Sequence, residues 1–185
     1  MKELALHILD LAQNSITAEA NLIVLTINES LTSDILTIML EDNGYGMDAD
    51  QAEQVKNPFV TSRTSRKVGL GIPLMLAACQ RCEGDLTIES QKNVGTKLIA
   101  TFRHSHIDRA PLGNMAETIV CLLLGAENID FVYNHIINQE KFCFDTREIR
   151  QTLGEEVPID APEVLEWVKD YINEGLSNLR GGVLK

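Results

Sequence analysis

Residues 21–50 read NLIVLTINESLTSDILTIMLEDNGYGMDAD, and the pattern in this stretch decides the fold. NLIVLTINES and DILTIMLED are short, β-branched runs on either side of Leu31–Ser33, which reads as a turn between two strands. The second strand ends in a carboxylate, Asp42, and then Gly44 and Gly46 straddle Tyr45. An Asx-Gly turn needs fewer glycines. The stretch is either an ordinary turn or a place where the backbone bends closely around something, and taken alone it leaves both readings open.

Toward the N-terminus, Leu4, Ile8, Leu11, Ala12 and Ile16 recur at helical spacing and predict a helix over 4–19. His7, Asp10, Asn14 and Thr17 then share one face of it. Such a stripe is either a solvated surface or the lining of a ligand site. Asn is a poor helix former, and its amide oxygen suits a hard cation such as Mg²⁺.

Toward the C-terminus, the polar, irregular residues after Gly46, with Asn57-Pro58-Phe59 inside them, read as a long loop. TSRTSRKVGLG, residues 61–71, sets Arg63, Arg66 and Lys67 ahead of Gly69-Leu70-Gly71, and GLGIPLMLAACQRC restarts a helix. Free amides at a helix N-terminus attract phosphate, and the three cations would add to the pull. The competing reading is a polar surface loop with a Gly-rich helix start. EGDLTIES and GTKLIATF follow as two strands paired across Gln91–Val94, the second opened by Gly95-Thr96.

Past residue 103 the pattern predicts a connector, a helix over 114–124 with Gly125 as its cap, and a hairpin around Asn138–Gln139. Asp145/Glu148 and Asp160/Glu163 mark two further helix starts. The last helix carries Val164, Trp167, Val168, Tyr171, Ile172, Leu176 and Leu179 on one broad face, to be packed on the first half or offered to a partner. Gly181–Gly182 reads as a mobile tail.

The 185 residues are 44% hydrophobic with a net charge of −11. The charge argues against nucleic acid, since phosphate backbones select basic surfaces. No run approaches 18 apolar residues, so no membrane span is expected, and the N-terminus lacks the plan of a signal peptide. The expected compartment is the cytoplasm. Cys79 and Cys82 form a CxxC without a second pair, and all four cysteines are expected to be buried free thiols rather than a metal or redox site.

In combination, the helix Asn, DxGxG, basic loop into GLG, and GT strand closely resemble the ATP-binding domain shared by histidine kinases, DNA gyrase B, Hsp90 and MutL, the GHKL superfamily. The resemblance covers about residues 4–103 and lies closest to the histidine-kinase and anti-sigma serine-kinase branches. It implies an α+β chain: a two-layer Bergerat-fold sandwich over 1–103, its mixed, mainly antiparallel sheet covered by helices on one face, with a small α/β extension over 104–185. It implies ATP and Mg²⁺ as cofactors. Asn14 would hold Mg²⁺ and Asp42 would read the adenine amino group. Gly44 and Gly46 would let the backbone pass the base, and Thr96 would support the pocket. Phe59 would belong to the lid, and Gly69, Leu70 and Gly71 would turn the lid into the phosphate-facing helix. Arg63, Arg66 and Lys67 would contact phosphate.

Asp10 is the departure. Hydrolysing and serine-kinase branches carry a Glu general base there, and histidine kinases an uncharged polar residue. Asp keeps the charge on a shorter arm, so a catalytic base and a structural or metal-orienting group both remain open. The chain starts at the Asn-bearing helix, so no phosphoacceptor domain is expected before it. The expected function is a stand-alone kinase that transfers the γ-phosphate to a partner protein in signal transduction. The alternative is an ATP-gated binding module or slow ATPase. A homodimer is one oligomeric state left open.

Overall fold

The computed structural model describes residues 2–56, 70–126, 128–154 and 157–183. The elements are α1 (Leu4–Thr17), β1 (Leu22–Ser30), β2 (Ile35–Asp42), α2 (Ala49–Gln54), α3 (Gly71–Arg81), β3 (Leu86–Gln91) and β4 (Gly95–Arg103). After a connector come α4 (Met115–Leu123), β5 (Asp130–Ile137), β6 (Glu140–Asp145), α5 (Thr146–Leu153) and α6 (Pro162–Val183).

The strands form one sheet in the order β3-β4-β2-β1-β5-β6. Every neighbouring pair is antiparallel except β1 and β5. Alternate residues share a face, and the burial follows that period. Ile23, Leu25 and Ile27 on β1, Leu36, Ile38 and Leu40 on β2, and Leu98, Ala100 and Phe102 on β4 are all buried. Phe131 and Tyr133 on β5 and Phe144 on β6 continue the same face. Helices α1, α3 and α6 contact this sheet, and α4 packs between α1 and α6. The result is a two-layer α+β fold.

The sheet crosses the 103/104 boundary without a break, because β5 joins β1. Further contacts fasten the halves, two sets of them at the ends of α1 and β1. The first turn of α1 has no side-chain cap, and its orphan amides are met by the connector: Leu4 N donates to the Pro111 carbonyl at 3.0 Å and Ala5 N to Leu112 at 2.8 Å. At the far end of β1, Glu29 bridges two histidines, Oε1 to His135 Nε2 and Oε2 to His104 Nε2, both at 2.8 Å. His135 Nδ1 meets the Tyr133 hydroxyl at 2.7 Å, and both rings are fully buried. The His135 hydrogen bond leads the effects that hold the Glu29 carboxyl at about 2.

Several local readings change. Helix α2 lies inside the stretch read as loop. It is started by Asp48, which accepts from Gln51 N while the Gln51 side chain accepts from Asp48 N. Gly181 and Gly182 continue α6 instead of leaving it. Cys121 and Cys143 are free but exposed, since each lies on the solvent side of its element; Cys79 and Cys82 are buried and free, and burial pushes Cys79 up to about 12.

Candidate functional site

The end of β2, the last two turns of α1 and the β3–β4 turn converge around Asp42. Its Oδ2 accepts from Ser15 Oγ at 2.6 Å and its Oδ1 from Gly44 N at 3.0 Å. The carboxylate is therefore oriented from two sides before any ligand arrives. Across the sheet Asp42 faces Thr96 in register. Thr96 Oγ1 lies 2.9 Å from Ser90 Oγ, which also accepts from Met47 N at 2.8 Å and reaches the Gly95 carbonyl at 3.0 Å. One serine thus ties the pocket threonine to the segment after Gly46.

The two glycines meet the chain itself. A Cβ on Gly44 would fall 2.6 Å from the Ala18 carbonyl oxygen at the end of α1. Gly46 has φ +59, and a Cβ there would run into the Gln91 carbonyl. The loop 42–47 is thereby pressed between α1 and the β3–β4 turn, with Tyr45 N donating to Ala18 and Asn93 N donating to Tyr45. Asn43 accepts from the amides of Asn21 and Leu22, both at 3.0 Å, and so pins the start of β1.

On α1, Asn14 is half-buried and Asp10 exposed. Helix α3 starts against them: a Cβ on Gly71 would stand 3.3 Å from the Asp10 Cβ. Leu70 supplies no side-chain cap to α3 among the described residues and is itself exposed, while Gly71 and Ile72 behind it are buried. His7 belongs to that stripe by spacing but is 5% exposed. Its Nδ1 meets no partner among the described residues, and burial lowers its pKa.

The structure therefore brings Asp42, Gly44, Gly46 and Thr96 together, sets Gly71 against Asp10, and carries Asn14 on α1 next to the Ser15 that holds Asp42. Phe59, Arg63, Arg66, Lys67 and Gly69 lie outside the described residues. Ser15, Ser90 and Asn43 escaped the sequence reading. Ser15 carried a signal: it follows Leu4, Ile8, Leu11 and Ala12 on the apolar face of α1, where a hydroxyl needs a partner.

Asp10 offers a carboxylate oxygen beside the start of α3, and Asn14 an amide oxygen one turn further along α1. That set suits Mg²⁺, which binds through one or two protein oxygens and substrate phosphates. Among the described residues no group of three or more His, Cys, Asp or Glu could hold a metal unaided. No described helix is long and apolar enough to cross a membrane.

Residues 2–106 match the family described as histidine kinase-, DNA gyrase B-, and HSP90-like ATPase. Sporulation kinase C of Bacillus subtilis is 30% identical over 88 residues, 48% of this chain and 20% of that protein. The autoinducer 2 sensor kinase/phosphatase LuxQ of Vibrio harveyi is 33% identical over 72 residues, 36% of this chain and 8% of that protein. The chain thus spans a fifth or less of these curated relatives. Among solved structures, the N-terminal domain of a DNA repair protein is similar in fold, with a TM-score of 0.53 at 16% identity over 84% of this chain and 58% of that one.

Proposed function

Because this chain belongs to the family of histidine kinase-, DNA gyrase B-, and HSP90-like ATPases, we propose that it binds ATP around Asp42 and transfers the γ-phosphate to a partner protein. The observation that carries the nucleotide site is the preset carboxylate: Ser15 and the Gly44 amide hold Asp42 facing Thr96, a rigid acceptor for the adenine amino group. Asn14 and the uncapped amides of α3 would receive the phosphates. Mg²⁺, when bound beside Asn14, would neutralise phosphate charge. Asp10, the acid next to α3, would orient or deprotonate the acceptor group. The kinase reading draws support from the relatives, which are named as kinases. By the family resemblance, Phe59 and Gly69 would belong to the lid and Arg63, Arg66 and Lys67 would contact phosphate.

A second reading, an ATP-gated binding module, is favoured by one feature. Asp10 is exposed on α1, with its Cβ against the start of α3, whereas a working base is normally held in place by a hydrogen-bonding neighbour. γ-labelled ATP with Mg²⁺, with and without lysate of the source cells, separates the two. Label on a protein that disappears with Asp10→Ala, while ATP still binds, supports the kinase. Released phosphate, or binding with neither, supports the alternative. Normal ATP binding by Asp42→Ala would overturn the site assignment itself.

A further inference from the structure

Helix α6 was expected to use one broad apolar face, and the structure divides it. Val164, Leu165, Val168, Ile172 and Leu179 are buried, but Trp167 and Tyr171 are 48% and 40% exposed. These two rings stack one turn apart, centroids 5.1 Å and planes 17° from parallel. Tyr171 rests in turn on Phe142 and Phe144 of the edge strand β6, at 5.7 and 6.4 Å. The sheet edge therefore supports the stack from one side and leaves the other to solvent.

The same side of α6 is acidic. At roughly 100° per residue, Glu163, Asp170 and Glu174 lie within about 60° of Trp167, and all three are exposed. The described cations of α6 point elsewhere: Lys169 pairs with Glu117 at 3.0 Å, and Arg180 lines a cleft against the start of α4. The outer face is thus aromatic and anionic, with no cation of its own helix to neutralise it.

Core packing does not explain a stacked pair left half in water, and an exposed apolar patch with a polar rim marks an interaction site. The ring quadrupole attracts a cation over the indole face, and carboxylates beside it strengthen that attraction. Arginine satisfies both at once, since its planar guanidinium stacks on a ring while its edge pairs with a carboxylate. We propose that this face of α6 docks a cationic, arginine-bearing segment of a partner protein, with a guanidinium laid on Trp167 between Glu163 and Asp170. The net charge of −11 would speed the encounter. The surface is separate from the Asp42 site, three strands away along the sheet, and does not depend on the kinase reading.

Trp167 is the single tryptophan of the chain, so its emission reports on this face alone. The full chain is titrated at about 50 mM salt with a peptide of alternating Arg and Ala, and with its Glu/Ala counterpart. The expected result is a saturable change with the Arg peptide and none with the Glu peptide. Asp170→Lys with Glu174→Lys should weaken binding at least about tenfold, while Asp50→Lys with Glu89→Lys, of equal net charge, should keep it within about twofold. Equal weakening in both, or no saturable change, would overturn the proposal. Thermal melts check folding, and Asp170→Asn with Glu174→Gln replaces the Lys pair if that pair unfolds; its expected loss is smaller but still absent from an Asp50→Asn, Glu89→Gln control.

Discussion

Ser15 sits where the period of α1 asks for an apolar side chain, and its hydroxyl instead spends its hydrogen on Asp42. Replacing it with Ala leaves the carboxylate held, among the described residues, by the Gly44 amide. Hydrogen bonds to charged groups contribute about 1.5–3 kcal/mol, and part of this would appear as lost orientation. Ser15→Ala should therefore weaken ATP binding by about five- to thirtyfold in calorimetric titration, with the fold retained. Glu29 acts on stability instead. Its folded pKa of about 2 lies below its usual 4.5, so its contribution is present above about pH 4.5 and is lost as pH falls toward 2. Acid unfolding curves of the native chain and Glu29→Gln should converge in that window, the native chain losing up to about 3 kcal/mol of its advantage. At this scale the sequence was partly legible. Asp42 announced itself by its glycines, whereas Glu29, His104 and His135 are far apart along the chain and meet only because β1 pairs with β5 on one side and, through β2, is joined to β4 on the other.

Among the elements, legibility followed periodicity. Helix α1 and strands β1 to β4 bury one face each, and that burial writes a period into the sequence. Helix α2 buries no residue, so it leaves no apolar period, and only its Asp48–Gln51 capping pattern could have disclosed it. The loop 42–47 shows what a glycine signal can mean. Gly44 and Gly46 are required by the chain's own close packing against Ala18 and Gln91. Gly46→Ala would combine a left-handed φ with a clash against backbone, and should cost about 2 kcal/mol or more in chemical denaturation. ATP affinity should fall with it, because Met47 reaches Thr96 through Ser90.

For the whole molecule, the boundary at residue 103 divides the motifs but not the sheet. Local patterns revealed the strands of both halves; they carried no information on partnership, since pairing between distant strands leaves no trace in either strand alone. The consequence is mechanical unity. Ile172, fully buried on α6, should lower the melting of the entire chain when changed to Ala, by about 2–5 kcal/mol, in one transition seen equally by far-UV dichroism and Trp167 emission. A chain cut after Arg103 loses β5 from the flank of β1 and the connector from the start of α1, and should show no cooperative melt.

The parallel pairing of β1 with β5 also bears on how the protein is made. Leu22 waits for Asp130, and until that partner has left the ribosome one edge of a central, apolar strand stands unpaired. An open edge of this kind recruits strands from other chains, and contacts so distant along the chain slow folding. Synthesis itself is thus the period of greatest hazard for this molecule: refolding from denaturant should be slow and increasingly lossy as concentration rises, and the yield in cells should depend on chaperones that shield β1 until the hairpin β5–β6 arrives.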